Sequence, residues 1–156
     1  MTHLPERLTE HFSLREMSVT STGLPNTPSP YAVELLRDLC VQVLEPWRLV
    51  IGAIRISSGY RSPAVNLAIG GDRHSYHLDG RAADCVPLHV PLEAAWRSLA
   101  ALVGDLPIDQ AICYVREAGR GWIHVGTSPL PRRELLVHVD GRYVPWATYR
   151  GPIVSP

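Results

Sequence analysis

Apolar residues recur at helical spacing at Leu35, Leu36, Leu39, Cys40, Val43, Leu44 and Trp47, which predicts a helix with one inward face. Ser29 suits its N-cap and Pro30 its first position, and Pro46 is expected to end or kink it. A second helix opens at Pro91, carries Leu92, Ala95, Trp96, Leu99 and Val103 inward, and has Gly104 beyond its end. Between the two, residues 53–57 alternate, with Ile54 and Ile56 on one face and Arg55 on the other, as in a strand. Ser62-Pro63 starts a short helix that Gly70-Gly71 stops. Residues 72–80 read as a loop and 81–86 as a strand. Residues 108–115 and 122–126 read as two strands joined by a turn over 117–121. Asp140-Gly141 marks a hairpin between 135–139 and 143–146. The order is helix, strands, helix, then mostly antiparallel strands. That is an α+β pattern and not an alternating βαβ one.

The first 30 residues are rich in Thr, Ser and Pro. They read as an ordered arm that wraps the domain through Phe12, Leu14 and Met17. The expected layout is an arm over 1–30, one domain over 31–150 and a tail over 151–156. The length of 156 residues suits one domain, and 46% apolar residues exclude a disordered chain. No stretch approaches the roughly 18 apolar residues of a membrane span. Fifteen Arg balance fifteen Asp plus Glu, with no Lys and no basic run. A basic stripe for nucleic acid or a membrane surface is therefore missing, and neither is expected as a partner. The N-terminus carries no secretory signal pattern, which places the expected protein in a cytoplasm before any release. Three cysteines, Cys40, Cys85 and Cys113, form no CxxC pair and read as buried small hydrophobes.

Seven histidines are present. His3, His11, His89 and His138 suit ordinary surface or hydrogen-bonding roles. His77, Asp84 and His124 differ. His77 lies in a loop that leads into the strand bearing Asp84. His124 sits among Trp122, Ile123 and Val125, where an ionisable ring needs a partner. Two imidazoles and a carboxylate are a ligand set for catalytic zinc, with a fourth position left for water. The spacing HxxxxxxD is not a helical HExxH, so spacing alone leaves zinc as one reading among several.

The surrounding motifs narrow this. Residues 75–84 read Ser-Tyr-His-Leu-Asp-Gly-Arg-Ala-Ala-Asp, which resembles the SxHxxGxAxD signature of the zinc D-alanyl-D-alanine peptidase family. Ser58-Gly-Tyr-Arg-Ser62, Asn66 and Gly70-Gly71 resemble its upstream stretch, and Trp122-Ile-His-Val125 is similar to its "WxHV" ligand strand. The openings at 8–16 and 26–28 resemble the single-domain branch of phages and bacteria. The resemblance spans about residues 8–145 with the motifs in order. It implies a hedgehog/DD-peptidase-like fold, with an antiparallel sheet packed against two main helices. It further implies His77, Asp84 and His124 as zinc ligands, Gly80 at a tight approach, Arg61 on a substrate carboxylate, and Ser75 on substrate or shaping its loop.

The base that such a peptidase needs is not at a familiar position. Some branches place a Glu three residues before the last ligand, where this chain has Gly121. The phage-type branch has a Glu after a "DQLI" strand, where this chain has Tyr114. Glu117 in the following turn is the first alternative, provided the turn folds over the site, which Gly119 and Gly121 would permit. Tyr114, better suited to stabilising an oxyanion, and His74 are the others. The resemblance thus implies a zinc D,D-carboxypeptidase or endopeptidase that hydrolyses D-Ala-containing bonds of peptidoglycan in cell-wall lysis or remodelling. The rival is an impaired zinc-binding module of the same fold. It would bind peptidoglycan or join phage particle proteins in a virion.

Overall fold

The computed structural model describes residues 5–117 and 120–153. Helix α1 (Pro30–Leu39) begins where Ser29 Oγ accepts the Ala32 N–H and Pro30 needs no acceptor of its own. The helical path does not stop at Pro46. A wide turn over Cys40–Leu44, closed by the Glu45 N–H on the Cys40 carbonyl, leads directly into α2 (Glu45–Ile51). The proline falls in the first turn of α2, where a missing N–H costs nothing. The wide turn before it gives its ring room. Leu36, Leu39, Val43 and Trp47 therefore form one fully buried row through both helices.

Strand β1 (Ile54–Ser58) follows, then α3 (Pro63–Ala68), β2 (Ala82–Pro87), α4 (Leu92–Leu102), β3 (Ile108–Tyr114), β4 (Trp122–Thr127), β5 (Glu134–Val139) and β6 (Arg142–Pro145). The strands form one sheet in the order β1-β2-β4-β3-β5-β6. Every pairing is antiparallel except β3 with β5, which is parallel. The strand pattern over 134–139 does not reveal that exception, because alternation fixes a face and not a partner. The closing hairpin turns through Asp140 (φ 50°) and Gly141 (φ 75°), the left-handed pair that a two-residue turn requires.

Alternation along the strands separates two faces. Ala83 and Cys85 of β2, Ile123 and Val125 of β4, Ala111 and Cys113 of β3, and Val137 of β5 enter the core with the helices. Trp47 links α2 to α4 by donating Nε1–H to Ser98 Oγ at 2.9 Å. Trp96 of α4 meets Trp146 edge-on at 5.8 Å. Each large side chain buried here contributes roughly 1.5–3 kcal/mol. The arm closes the remaining core: Phe12 and Met17 are buried, and the Tyr60 N–H donates to the Met17 carbonyl at 2.7 Å. Asn26 fastens the arm further through the Ser18 and Tyr60 carbonyls and the Ser62 N–H. The other face of the sheet carries Asp84, His124, Ile112, Gln110, Glu134 and Leu136, and there a cavity opens.

Candidate metal centre and its cavity

The cavity-facing residues stand in three rows set by strand register. Ile112 pairs with His124 and with Leu136, and Asp84 pairs with His124. On one side of that row Gln110 pairs with Gly126 and Glu134. On the other, Tyr114 pairs with Trp122 and His138, and His138 with Tyr143.

His77 arrives from a different element. The segment 72–80 contains a tight turn over Tyr76–Asp79, capped by Ser75 Oγ, which accepts the His77 N–H. Gly80 ends this turn at φ 81°, and a Cβ there would stand 2.6 Å from the Ala32 carbonyl, so only glycine lets the turn lie on α1. Tyr76 lies over Gly126, where a Cβ would meet its ring at 2.6 Å, and its hydroxyl donates to Asp109 at 2.7 Å. Asn66 donates to the Asp72 carbonyl and packs against Gly71, pinning the loop at the cavity rim.

Three side chains converge in the middle row. His77 Nε2 lies 3.2 Å from His124 Nδ1 and 3.3 Å from Asp84 Oδ1, and His124 Nδ1 lies 3.0 Å from the same oxygen. The proton on His77 Nδ1 is committed to the Gly59 carbonyl at 2.6 Å, which leaves Nε2 as a lone pair when the ring is neutral. Burial pushes the His77 imidazole below its usual range, outweighing the pull of Asp84, and so favours that neutral form. Burial alone would raise Asp84, but His77 and His124 outweigh it and hold the carboxyl far below the carboxylate range. With the His77 ring neutral, its Nε2 carries no proton, so at most one proton, on His124 Nδ1, is available among the three converging atoms. The arrangement fits a cation: these three residues are the group of metal-ligating side chains found within 4.8 Å among the described residues.

Arg61, expected on a substrate carboxylate, meets a carboxylate of the protein itself. Its Nη2 donates to Asp84 Oδ2 at 2.7 Å and its Nε to Ser58 Oγ at 2.8 Å. Its backbone N–H donates to the His77 carbonyl at 2.9 Å, so one residue braces two of the three ligands. Ser75 caps the turn that bears His77 and also lines the cavity.

The three candidate bases are placed differently. Tyr114 and His74 line the cavity. Burial, with Tyr143 adding, pushes the Tyr114 phenol well above its usual range, so it is a proton donor and a poor base. Its ring stacks on Trp122 at 4.7 Å and its hydroxyl lies 3.2 Å from that of Tyr143. Glu117 is exposed and absent from the cavity lining. The reason is register: Ile112 stands opposite His124, and Glu117 lies five residues further along the chain. That is roughly 16 Å of extended strand, beyond the reach of a Glu side chain. Of the two glycines expected to fold the turn inward, Gly119 lies outside the described residues. Gly121 packs against Tyr114 and Leu92, where any Cβ would collide. The cavity lining also contains Gln110, Arg132, Glu134, Leu136 and Tyr143, which sequence reading did not single out. The parallel placement of β5 beside β3 brings Glu134 and Leu136 there, and β6 carries Tyr143 in beside them.

Comparison with known families gives a direct result. The Peptidase M15 family model matches residues 10–125, well over half of the chain. The chain belongs to this family. M15 peptidases are zinc-dependent metallopeptidases, and the cluster of His77, Asp84 and His124 falls within the matched residues. The α+β architecture with its single mixed sheet agrees with that membership. Residues 126–153, including β5 and β6, lie outside the matched range. Among curated proteins, none matches the chain. No helix among the described residues is long and apolar enough to cross a membrane.

Proposed function

We propose that this M15 metallopeptidase hydrolyses D-Ala-containing peptide bonds of peptidoglycan stem peptides or cross-links, with zinc held by His77, Asp84 and His124. The observation that carries the reading is the convergence of three acceptor atoms with His77 Nδ1 tied to a backbone carbonyl. When bound, zinc supplies Lewis-acid polarisation of the scissile carbonyl and acidifies water. The chain's own residues do the rest. Asp84 turns Oδ1 to the imidazoles while Arg61 holds Oδ2. Tyr114 offers a neutral hydroxyl at the cavity as a hydrogen-bond donor for developing oxyanion charge. Proton transfer falls to a cavity group that is not a ligand: His74, the notable imidazole at the rim, or the carboxylates Glu134 and Asp72. A phage lysin or a bacterial wall-remodelling enzyme are the settings we infer for this activity.

The second reading, a wall-binding or virion module with zinc but no turnover, draws on Gly121 and Tyr114 standing where relatives of this type place an acid. Digestion of purified cell wall and of a D-Ala-D-Ala peptide, each with and without chelator, separates the two. Chelator-sensitive release of D-alanine or loss of cross-links supports the peptidase. Full zinc occupancy without any release supports the module.

A further inference from the structure

We infer that the cavity serves internal peptide bonds: the substrate runs past the metal group on both sides, and no free C-terminal carboxylate is required. The inference rests on the peptidase reading above and sharpens it to an endopeptidase.

The first ground is position. The middle row of His124, Ile112 and Leu136 has a row on either side, Gln110 with Glu134 on one and Tyr114 with Trp122 on the other. Rows two residues apart on a strand are separated by about 6.6–6.8 Å, so the cavity floor extends about one to two peptide units each way. Residues of all three rows line one cavity of about 940 Å³. The ligand cluster thus stands in the middle row, with the Tyr76 ring covering Gly126 on one flank and the cavity continuing past it along Gln110 and Glu134. One flank offers amide and carboxylate groups, the other aromatic rings and hydroxyls, so both arms of a chain find contacts.

The second ground is charge. A site that selects a chain end needs a cation free to receive its carboxylate. Among the described residues two arginines line the cavity, and both are ion-paired within the protein. Arg61 is committed to Asp84, and withdrawing it would leave a largely buried carboxylate without its partner. Arg132 gives Nε and Nη2 to Asp109, while its Nη1 faces Glu134 at 3.6 Å. The remaining fixed charges at the cavity are the carboxylates of Asp72 and Glu134, which repel an incoming carboxylate. His74 stands at the rim with its backbone N–H on Asp72.

The test uses two stem peptides ending in D-Ala-D-Ala, identical except that one ends in a carboxylate and the other in an amide. With zinc-loaded protein the two should be cut with kcat/KM values within about threefold. A lost hydrogen bond to a charged group would cost roughly tenfold or more. An amide cut more than about tenfold more slowly overturns the inference while leaving the peptidase reading intact. Cleavage of neither peptide overturns the peptidase reading and the inference with it. Binding gives a readout independent of turnover, because Trp122 lines the cavity. Fluorescence titration of metal-free protein should give the two peptides equal Kd, and a clear preference for the free acid counts against the inference. Arg61→Gln and Arg132→Gln should leave the acid-to-amide ratio unchanged even where both rates fall. Selective loss of the free-acid substrate in either variant would identify that arginine as a carboxylate receptor and overturn the assignment.

Discussion

Two buried aspartates on the cavity side of the molecule invite comparison. Asp84 and Asp109 each meet an arginine at 2.7 Å. Asp109 is 2% exposed and saturated with donors: Nε and Nη2 of Arg132, the Arg132 backbone N–H and the Tyr76 hydroxyl. It ties the chain after β4 and the turn bearing His77 to β3, and nothing is left for a ligand to satisfy. Asp84 has donors on one side only. Its Oδ2 is held by Arg61, while its Oδ1 faces two imidazole nitrogens that bring at most one proton between them. A carboxylate whose lone pairs are all met by donors is a strut. One that shares a point with other acceptors calls for a cation.

The largest effect that would test this contrast is at the metal group. His124→Ala should lower zinc affinity by more than the roughly 10–100-fold typical of losing a supporting partner, with hydrolysis lost in step. Competition titration against a chelating dye checks it, and unchanged occupancy would remove His124 from the ligand set.

Next comes the strut. Arg132→Gln leaves Asp109 buried without its cation and should destabilise the fold by about 3 kcal/mol, while Asp109→Asn, which leaves an exposed Arg132, should cost only about 1 kcal/mol. Urea unfolding of both variants measures the asymmetry. Zinc affinity of the folded protein should move in neither, and a shift there would join the two aspartates into one site.

Arg61→Lys keeps the charge and loses the fork, so zinc affinity should fall by roughly 10–100-fold with little change in unfolding midpoint. Parental zinc affinity in this variant would show that Arg61 does not orient Asp84.

The smallest effect is in acid. Arg132's hydrogen bonds, with Tyr76 adding against the opposing effect of burial, hold the Asp109 carboxyl down at about 2. A carboxyl depressed in the folded state adds stability that is complete above the unfolded pKa of about 3.9 and is lost as pH falls toward the folded value. The stability gap between metal-free parent and Asp109→Asn should therefore shrink between about pH 4 and pH 2. A gap that stays constant there would show that Asp109 does not titrate with unfolding.

Much of this was legible along the chain. Helical spacing from Leu35 to Trp47 and the Ser29-Pro30 start gave the first helix, and Asp140-Gly141 gave the last hairpin, because these signals are local. The passage of the helix through Pro46 was not, since it depends on a wide turn that no spacing rule announces. The motif around His77 and Asp84 and the apolar setting of His124 marked the three residues that the fold brings together. Glu117 could serve only if its turn folded over the site. Strand register instead runs the intervening hairpin away from the site.

The sequence by itself determined which face of each strand is polar and which residues could hold a metal, because period and side-chain chemistry are written residue by residue. The tertiary structure alone decided what each group meets. Arg61 is bound to Asp84, Glu134 and Tyr143 are brought to the cavity by a parallel β3–β5 pairing, and Asp109 is closed off by Arg132. Those partners lie 23 to 29 residues apart in sequence, and their meeting is fixed by strand order and register, which arise from burying the whole sheet at once and not from any local pattern.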